Sequence, residues 1–124
     1  MITWWTYQYN QQPLLPLESK FDIEHIYARN RVKNEPLKDG WNAELLGNKS
    51  LLEQRINIRA SDYRFADKAK YYKGLQQGKG KTNILELLAI ANNKNDFTEN
   101  DILNRNEEII KGFIAYLDQN ELLK

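Results

Sequence analysis

The sequence predicts an α+β chain, mostly helical, with one short β-hairpin. Three observations predict it. Two short β-prone runs, residues 21–26 and 49–52, flank a long polar segment. From residue 63 onward, apolar residues recur at three- and four-residue spacing, the period of a helix with one buried face. Gly74, Gly78 and Gly80 fall between the helical stretches rather than inside them. With 124 residues, one domain with a modest core is expected.

Taken in order, residues 1–11 are aromatic-rich and by propensity lean to a strand, although Trp4, Trp5 and Tyr9 also fit one side of a short helix. No start signal precedes them, as expected of a chain cut from something longer. Pro13 and Pro16 enforce an extended connector. Phe21 to Ile26 alternates β-branched or aromatic residues with polar ones, as a short strand does. Ala28 to Gly40 has loop composition. Trp41 to Leu46 makes a turn or two of helix stopped by Gly47. Lys49 to Leu52 is a second strand, paired antiparallel with the first.

From Glu53 the pattern turns helical, with a break near Ala60 and Ser61 or Asp62 as a cap. Tyr63 to Lys73 then sets Phe65, Ala69 and Tyr72 on one stripe. After the glycine loop, Thr82 caps a helix whose apolar set is Ile84, Leu87, Leu88 and Ala91. A last helix starts at Thr98, with Asp101 three residues on as in a capping box. Its stripe is Ile102, Ile109, Phe113, Ile114 and Leu117, interrupted by Asn106.

Composition excludes several kinds of site. The chain has no cysteine and one histidine, which rules out disulfides, thiolate zinc and a zinc site built from histidines. A metal here would be held mainly by oxygen, favouring magnesium, manganese or calcium. No apolar run approaches the ~20 residues that span a bilayer, and no signal-peptide pattern opens the chain, so no membrane and a cytoplasmic location are expected. The net charge is only +1, but it is uneven. Residues 49–81 carry nine Lys/Arg against three Asp/Glu, and residues 82–124 carry four against eight. That asymmetry fits one face for a polyanion, or equally two solvated helices of opposite sign.

The chemistry-bearing stretch is Asp22-Ile23-Glu24-His25-Ile26, which holds the sole histidine. Hydrolysing a phosphodiester needs a base for water, positive charge for phosphorus and support for the departing oxygen. Neighbours in a straight strand point to opposite faces, but at a strand end both Glu24 and His25 can approach one site, the carboxylate on a metal and the imidazole on water. A histidine taken singly is more often a packed or surface imidazole. Its context, Leu46-Gly47-Asn48-Lys49-Ser50-Leu51-Leu52 and then Asn57, adds two carboxamides.

That series resembles the His-Me finger (HNH) nuclease motif. More closely, it is similar to the C-terminal nuclease domain of GmrSD-type modification-dependent restriction enzymes, with Phe65, Lys68 and Tyr71 or Tyr72 at the later Phe-x-x-Lys and Tyr positions. The stretch from Phe97 to Arg105 resembles that family's closing helix. The resemblance covers about residues 20–117 and rests on the order and spacing of short motifs.

The resemblance implies a ββα-metal core over residues 20–73, a β-hairpin crossed by a helix, with residues 1–19 as a helix end and connector and 74–124 as a helical C-terminal part. It recasts residues 1–11 as helix. It implies His25 as general base, Glu24 and a helix-borne Asn57 as metal ligands, Asn48 as the residue that holds the loop and orients the imidazole, and Asp22 as weaker support. One divalent metal, Mg2+ or Mn2+, is implied, as are double-stranded DNA as substrate and a specificity or nucleotide-binding partner domain. The family often has Pro where Ala28 stands, so the loop after His25 loses some rigidity.

Arg55, Arg59, Arg64 and Lys68 are candidate phosphate contacts, each also readable as a solvated helix face. Gly74 to Thr82 superficially resembles a phosphate loop, but Leu75 stands where its first glycine belongs and a helix precedes it. Trp4, Trp5 and Trp41 are expected in the core or a domain contact. The expected function is a metal-dependent endonuclease domain without base-reading elements of its own. The alternative is an inactive nucleic-acid- or protein-binding module of the same fold.

Overall fold

The computed structural model describes residues 1–76 and 78–120. Its elements are α1 (Ile2–Thr6), β1 (Phe21–His25), α2 (Arg29–Asn34), two 3-10 turns (Gly40–Glu44 and Leu46–Asn48), β2 (Lys49–Glu53), α3 (Phe65–Tyr72), α4 (Leu85–Asn93) and α5 (Glu99–Gln119). The class is α+β, as expected.

The strands pair antiparallel in a register that sets Glu24 opposite Ser50 and His25 opposite Lys49. Leu52 turns inward with Ile26, and α3 covers them. Phe65, Ala69 and Tyr72, the stripe expected of α3, are all buried, and they share the core with Ile84 and Leu87 of the α4 region, Phe97 and Ile102. Phe65 and Phe97 stack with ring centroids 6.3 Å apart.

The N-terminal segment is helical, as the resemblance implies and against its strand propensity: Trp4 packs edge-on to Phe113 at 5.2 Å, and Trp5 Nε1 donates to Glu86 at 2.9 Å. Several other expectations are corrected. Tyr9 lies beyond that helix and is exposed. Trp41 is 80% exposed, not a core residue.

The loop expected over 28–40 contains α2. No apolar period marks it, because its anchor is a charge. The Arg31 guanidinium is buried, paired with Asp96 at 2.9 and 3.0 Å, and lies 4.2 Å from the Tyr27 ring centroid.

The helix expected from Glu53 does not form. After β2 the chain turns, then runs without regular structure to Arg64. Ile56 is buried and Ile58 half-buried against the core. That two-residue spacing belongs to extended backbone. Asn57, between them, therefore lies in a loop and not on a helix. The caps expected at Ser61 or Asp62 are unused: α3 begins after Arg64, and Asp62 instead accepts from Arg59 and Tyr71.

Gly47 is no helix stop. A Cβ there would stand 2.0 Å from the Ile102 carbonyl oxygen, so only glycine lets this turn press against α5. Its amide donates to Asn106 Oδ1 at 3.0 Å, which explains the polar break in the α5 stripe. Thr82 does not cap α4 as expected; its hydroxyl donates to buried Glu53 at 2.6 Å and accepts from the Ile84 amide. The capping box of Thr98 and Asp101 forms as read. Ile102 and Ile109 are buried, whereas Ile114 is 51% exposed, because α5 outgrows the core. Among the described residues, no helix is long and apolar enough to cross a membrane.

Candidate functional site

The site is built on the end of β1. Strand alternation sends Glu24 and His25 to opposite sides of the hairpin. Glu24 faces α3. Its Oε2 accepts from Lys68 Nζ at 2.9 Å and from the Tyr72 hydroxyl at 2.7 Å. Lys68 and Tyr72 are four residues apart and so project from one face of α3. Lys68 Nζ also donates to the His25 carbonyl at 3.0 Å, tying the helix to the strand end. Burial pushes the Tyr72 phenol well above its ordinary pKa, and the neighbouring Glu24 carboxylate adds to that. Tyr72 therefore stays a neutral donor. Glu24 Oε1 has no hydrogen-bond partner among the described residues.

His25 turns the other way. Its Nε2 lies 3.2 Å from Glu44 Oε2, and its side chain keeps 13% of its surface exposed. Glu44 is held in turn by Arg29, at 3.1 Å from Nε and 3.4 Å from Nη2, with Lys49 Nζ at 3.7 Å. The Arg29 hydrogen bond first, and then that of His25, hold the Glu44 carboxyl at a pKa of about 2. It is ionised at neutral pH.

Asn48 is fully buried behind this pair. Its Oδ1 accepts from the Tyr27 amide at 2.6 Å, and its Nδ2 donates to the carbonyls of Tyr27 and Ala43, each at 2.9 Å. Its own carbonyl accepts from the Ile26 amide at 3.0 Å. One side chain thus clamps the residues after His25 to the turn that carries Glu44. Arg105 braces the same turn from α5. Its Nη1 donates to the carbonyls of Leu46, Gly47 and Lys49 at 3.2, 3.0 and 2.8 Å, while Glu86 holds its other nitrogens.

Beside Glu24 opens a shallow pocket of about 190 Å³, to which Asp22, Gln54, Ile56 and Asn57 also contribute. Asn57 is exposed there. Asp22 is exposed too, and its Oδ1 accepts from Gln54 Nε2 at 2.7 Å. The chain therefore brings Glu24, Asn57 and Asp22 to one opening. The expectation that Glu24 and His25 approach one site is corrected: β1 keeps its alternation to the strand end, so His25 turns to Glu44 and does not line that pocket.

The donor set is all oxygen: a free carboxylate oxygen of Glu24, the amide oxygen of Asn57 and the Asp22 carboxylate. Such a set suits a small hard divalent cation that keeps several waters. Among the described residues, no group of three or more His, Cys, Asp or Glu stands together as a metal cage. A cation here would depend on Asn57 and on water.

The four candidate phosphate contacts separate. Lys68 is buried in the site and spends its charge on Glu24. Arg55 donates to the carbonyls of Lys79 and Lys81 and pins the glycine loop. Arg59 pairs with Asp62 at 3.0 Å, and Arg64 stands 3.8 Å from Glu35; both guanidiniums are largely exposed.

Sequence reasoning did not pick out Glu44 or Arg29 for the site, and Tyr72 entered only as one of two candidates for a motif position. Arg105 entered only as part of the closing-helix pattern. Glu44 sits in a polar connecting segment, where nothing periodic marks it; only the pairing of the strands brings it to His25.

No curated protein and no solved structure matches the chain. A family model, described as the C-terminal domain of GmrSD restriction endonucleases, matches residues 2–112. That span covers most of the chain and contains every residue of the hairpin, α3 and the pocket. The chain belongs to the GmrSD restriction endonuclease C-terminal domain family.

Proposed function

We propose that this chain is a metal-dependent endonuclease domain that hydrolyses phosphodiester bonds, with double-stranded DNA as substrate. The single observation that carries the proposal is the strand end at Glu24-His25. There the carboxylate opens with Asn57 onto a solvent-facing pocket, and the next residue is a partly exposed imidazole paired with Glu44, followed by a loop that Asn48 clamps. Family membership supports the same reading.

In this reading the hairpin and α3 form a ββα-metal core. Glu24 and Asn57 hold one divalent ion, Mg2+ or Mn2+, with Asp22 in support. When bound, that ion supplies the positive charge that phosphorus and the departing oxygen require. His25 takes a proton from water at Nδ1, because Nε2 faces Glu44. Because His25 and the Glu24–Asn57 pocket lie on opposite sides of the strand, this reading requires the phosphodiester to cross the strand end between them. The water oxygen then bonds to phosphorus, the scissile P–O bond breaks, and the departing oxygen takes a proton from solvent. Arg59 and Arg64 offer exposed guanidiniums to phosphates, without base reading. Sequence or modification choice would come from a partner domain.

A second reading has its own support. Lys68 already neutralises Glu24, as a bound cation would, which favours an inactive nucleic-acid- or protein-binding module of the same fold. Supercoiled plasmid incubated with magnesium or manganese separates the two. Nicking that stops when chelator is added supports the enzyme. Plasmid binding without nicking supports the module and overturns the enzyme.

A further inference from the structure

We propose that Glu44 is a positioning residue for His25: it accepts the Nε2 proton, fixes the ring, and leaves Nδ1 as the only nitrogen able to take a proton from water. The inference rests on the reading of His25 as the general base. Its geometry stands independently of that reading.

Three observations carry it. The first is the approach itself, Nε2 to Oε2 at 3.2 Å, with Nδ1 lacking a hydrogen-bond partner among the described residues. A carboxylate is acceptor-only, so the shared proton must belong to the imidazole nitrogen. A neutral ring that gives Nε2–H to Glu44 carries its lone pair on Nδ1.

The second is that Glu44 is itself held. Arg29 donates to both of its oxygens and Lys49 stands nearby. The turn that carries it opens at Asp39, whose side chain accepts from the Trp41 amide at 3.0 Å. A carboxylate fixed from two sides cannot follow a wandering ring, so the ring must come to it.

The third is the shared clamp. Asn48 bonds Tyr27, two residues after His25, and Ala43, one residue before Glu44. The base and its acceptor are thus registered against each other through one buried amide. When His25 gains a second proton in the reaction, the ionised Glu44 lies against the new positive charge and stabilises it.

The chain has one histidine, so imidazole nitrogen-15 spectra report His25 alone. In alkaline buffer, the wild-type chain should show the ring proton on Nε2, protected from solvent exchange, with Nδ1 unprotonated. In Glu44→Ala that protection is lost, and the plasmid-nicking kcat falls roughly 10- to 100-fold with KM little changed. Glu44→Gln keeps an acceptor oxygen without the charge, so it should restore the protected proton but not the full rate. Should Glu44→Ala fail to fold, Glu44→Gln and Arg29→Ala carry the comparison. A ring proton on Nδ1 in the wild type overturns the proposal, as does equal Nε2–H protection in Glu44→Ala. A protected Nε2–H in a wild-type chain that never nicks plasmid leaves the pairing intact and removes only the nuclease reading.

Discussion

Lys68 Nζ lies 2.9 Å from Glu24 Oε2, and both side chains are largely buried, so the carboxylate at the centre of the site is held by an ammonium on α3. The same ammonium reaches the His25 carbonyl. One charge therefore fixes the strand end to the helix and neutralises the residue that is proposed to hold a cation.

Replacing Lys68 by Met should expose both effects. It leaves Glu24 buried with only Tyr72 as donor, and breaking such a pair costs about 3 kcal/mol. Urea unfolding at neutral pH measures the loss. The freed carboxylate should also bind a divalent cation more tightly, so magnesium should raise the melting temperature of Lys68→Met more than that of the wild type. Equal shifts in the two chains would mean that the ion does not touch Glu24.

Asn48→Ala removes the clamp between Tyr27 and Ala43. It strands a buried backbone amide and two carbonyls, for a loss of about 3 kcal/mol. Hydrogen exchange at the Tyr27 amide should accelerate beyond what global destabilisation explains. An unchanged exchange rate would show that the loop after His25 is held by other contacts.

At Gly47 the obstacle is backbone, not a side chain that can swing aside. Gly47→Ala must push the turn off α5, at a cost of about 3 kcal/mol. Arg105 and Asn106 lose their grip on the turn in the same step, so plasmid nicking should fall with stability. Thermal unfolding of Gly47→Ala beside Gly40→Ala is the control, because nothing stands near a Cβ at Gly40.

Acid should unfold the chain through its held carboxylates. Glu44 has its pKa lowered from 4.5 to about 2 by Arg29 first and then His25. Asp96 is lowered by its hydrogen bond from Arg31. A carboxyl with a folded pKa below its unfolded value stabilises the fold above the unfolded value, and that stability is lost as pH falls through the folded one. Stability should therefore be flat near neutrality and decline from about pH 4.5 toward pH 2. Urea midpoints across that range measure it, and Arg31→Met should flatten the decline.

What the sequence made legible was local. The hairpin followed from two β-prone runs, and the start of α5 followed from a capping box that spans four residues. Phe65, Ala69 and Tyr72 were readable because α3 buries one stripe. The misses are long-range or polar. Asn57 was expected on a helix, but Ile56 and Ile58 hold that stretch extended. Lys68 was expected to contact phosphate or solvent, because a cation on a helix carries no mark of the carboxylate that will meet it 44 residues away. Glu44 was invisible for the same reason. The shape of this site depends on charges that find one another across the fold, and no periodicity announces them.

The most direct measurement is the rate of magnesium-dependent nicking of supercoiled plasmid by the wild-type chain beside His25→Ala, with matched folding checked by circular dichroism. The account predicts that the wild type nicks, and that the imidazole deletion slows it by about 100-fold or more. Equal rates in the two chains, or nicking that persists in chelator, would contradict it.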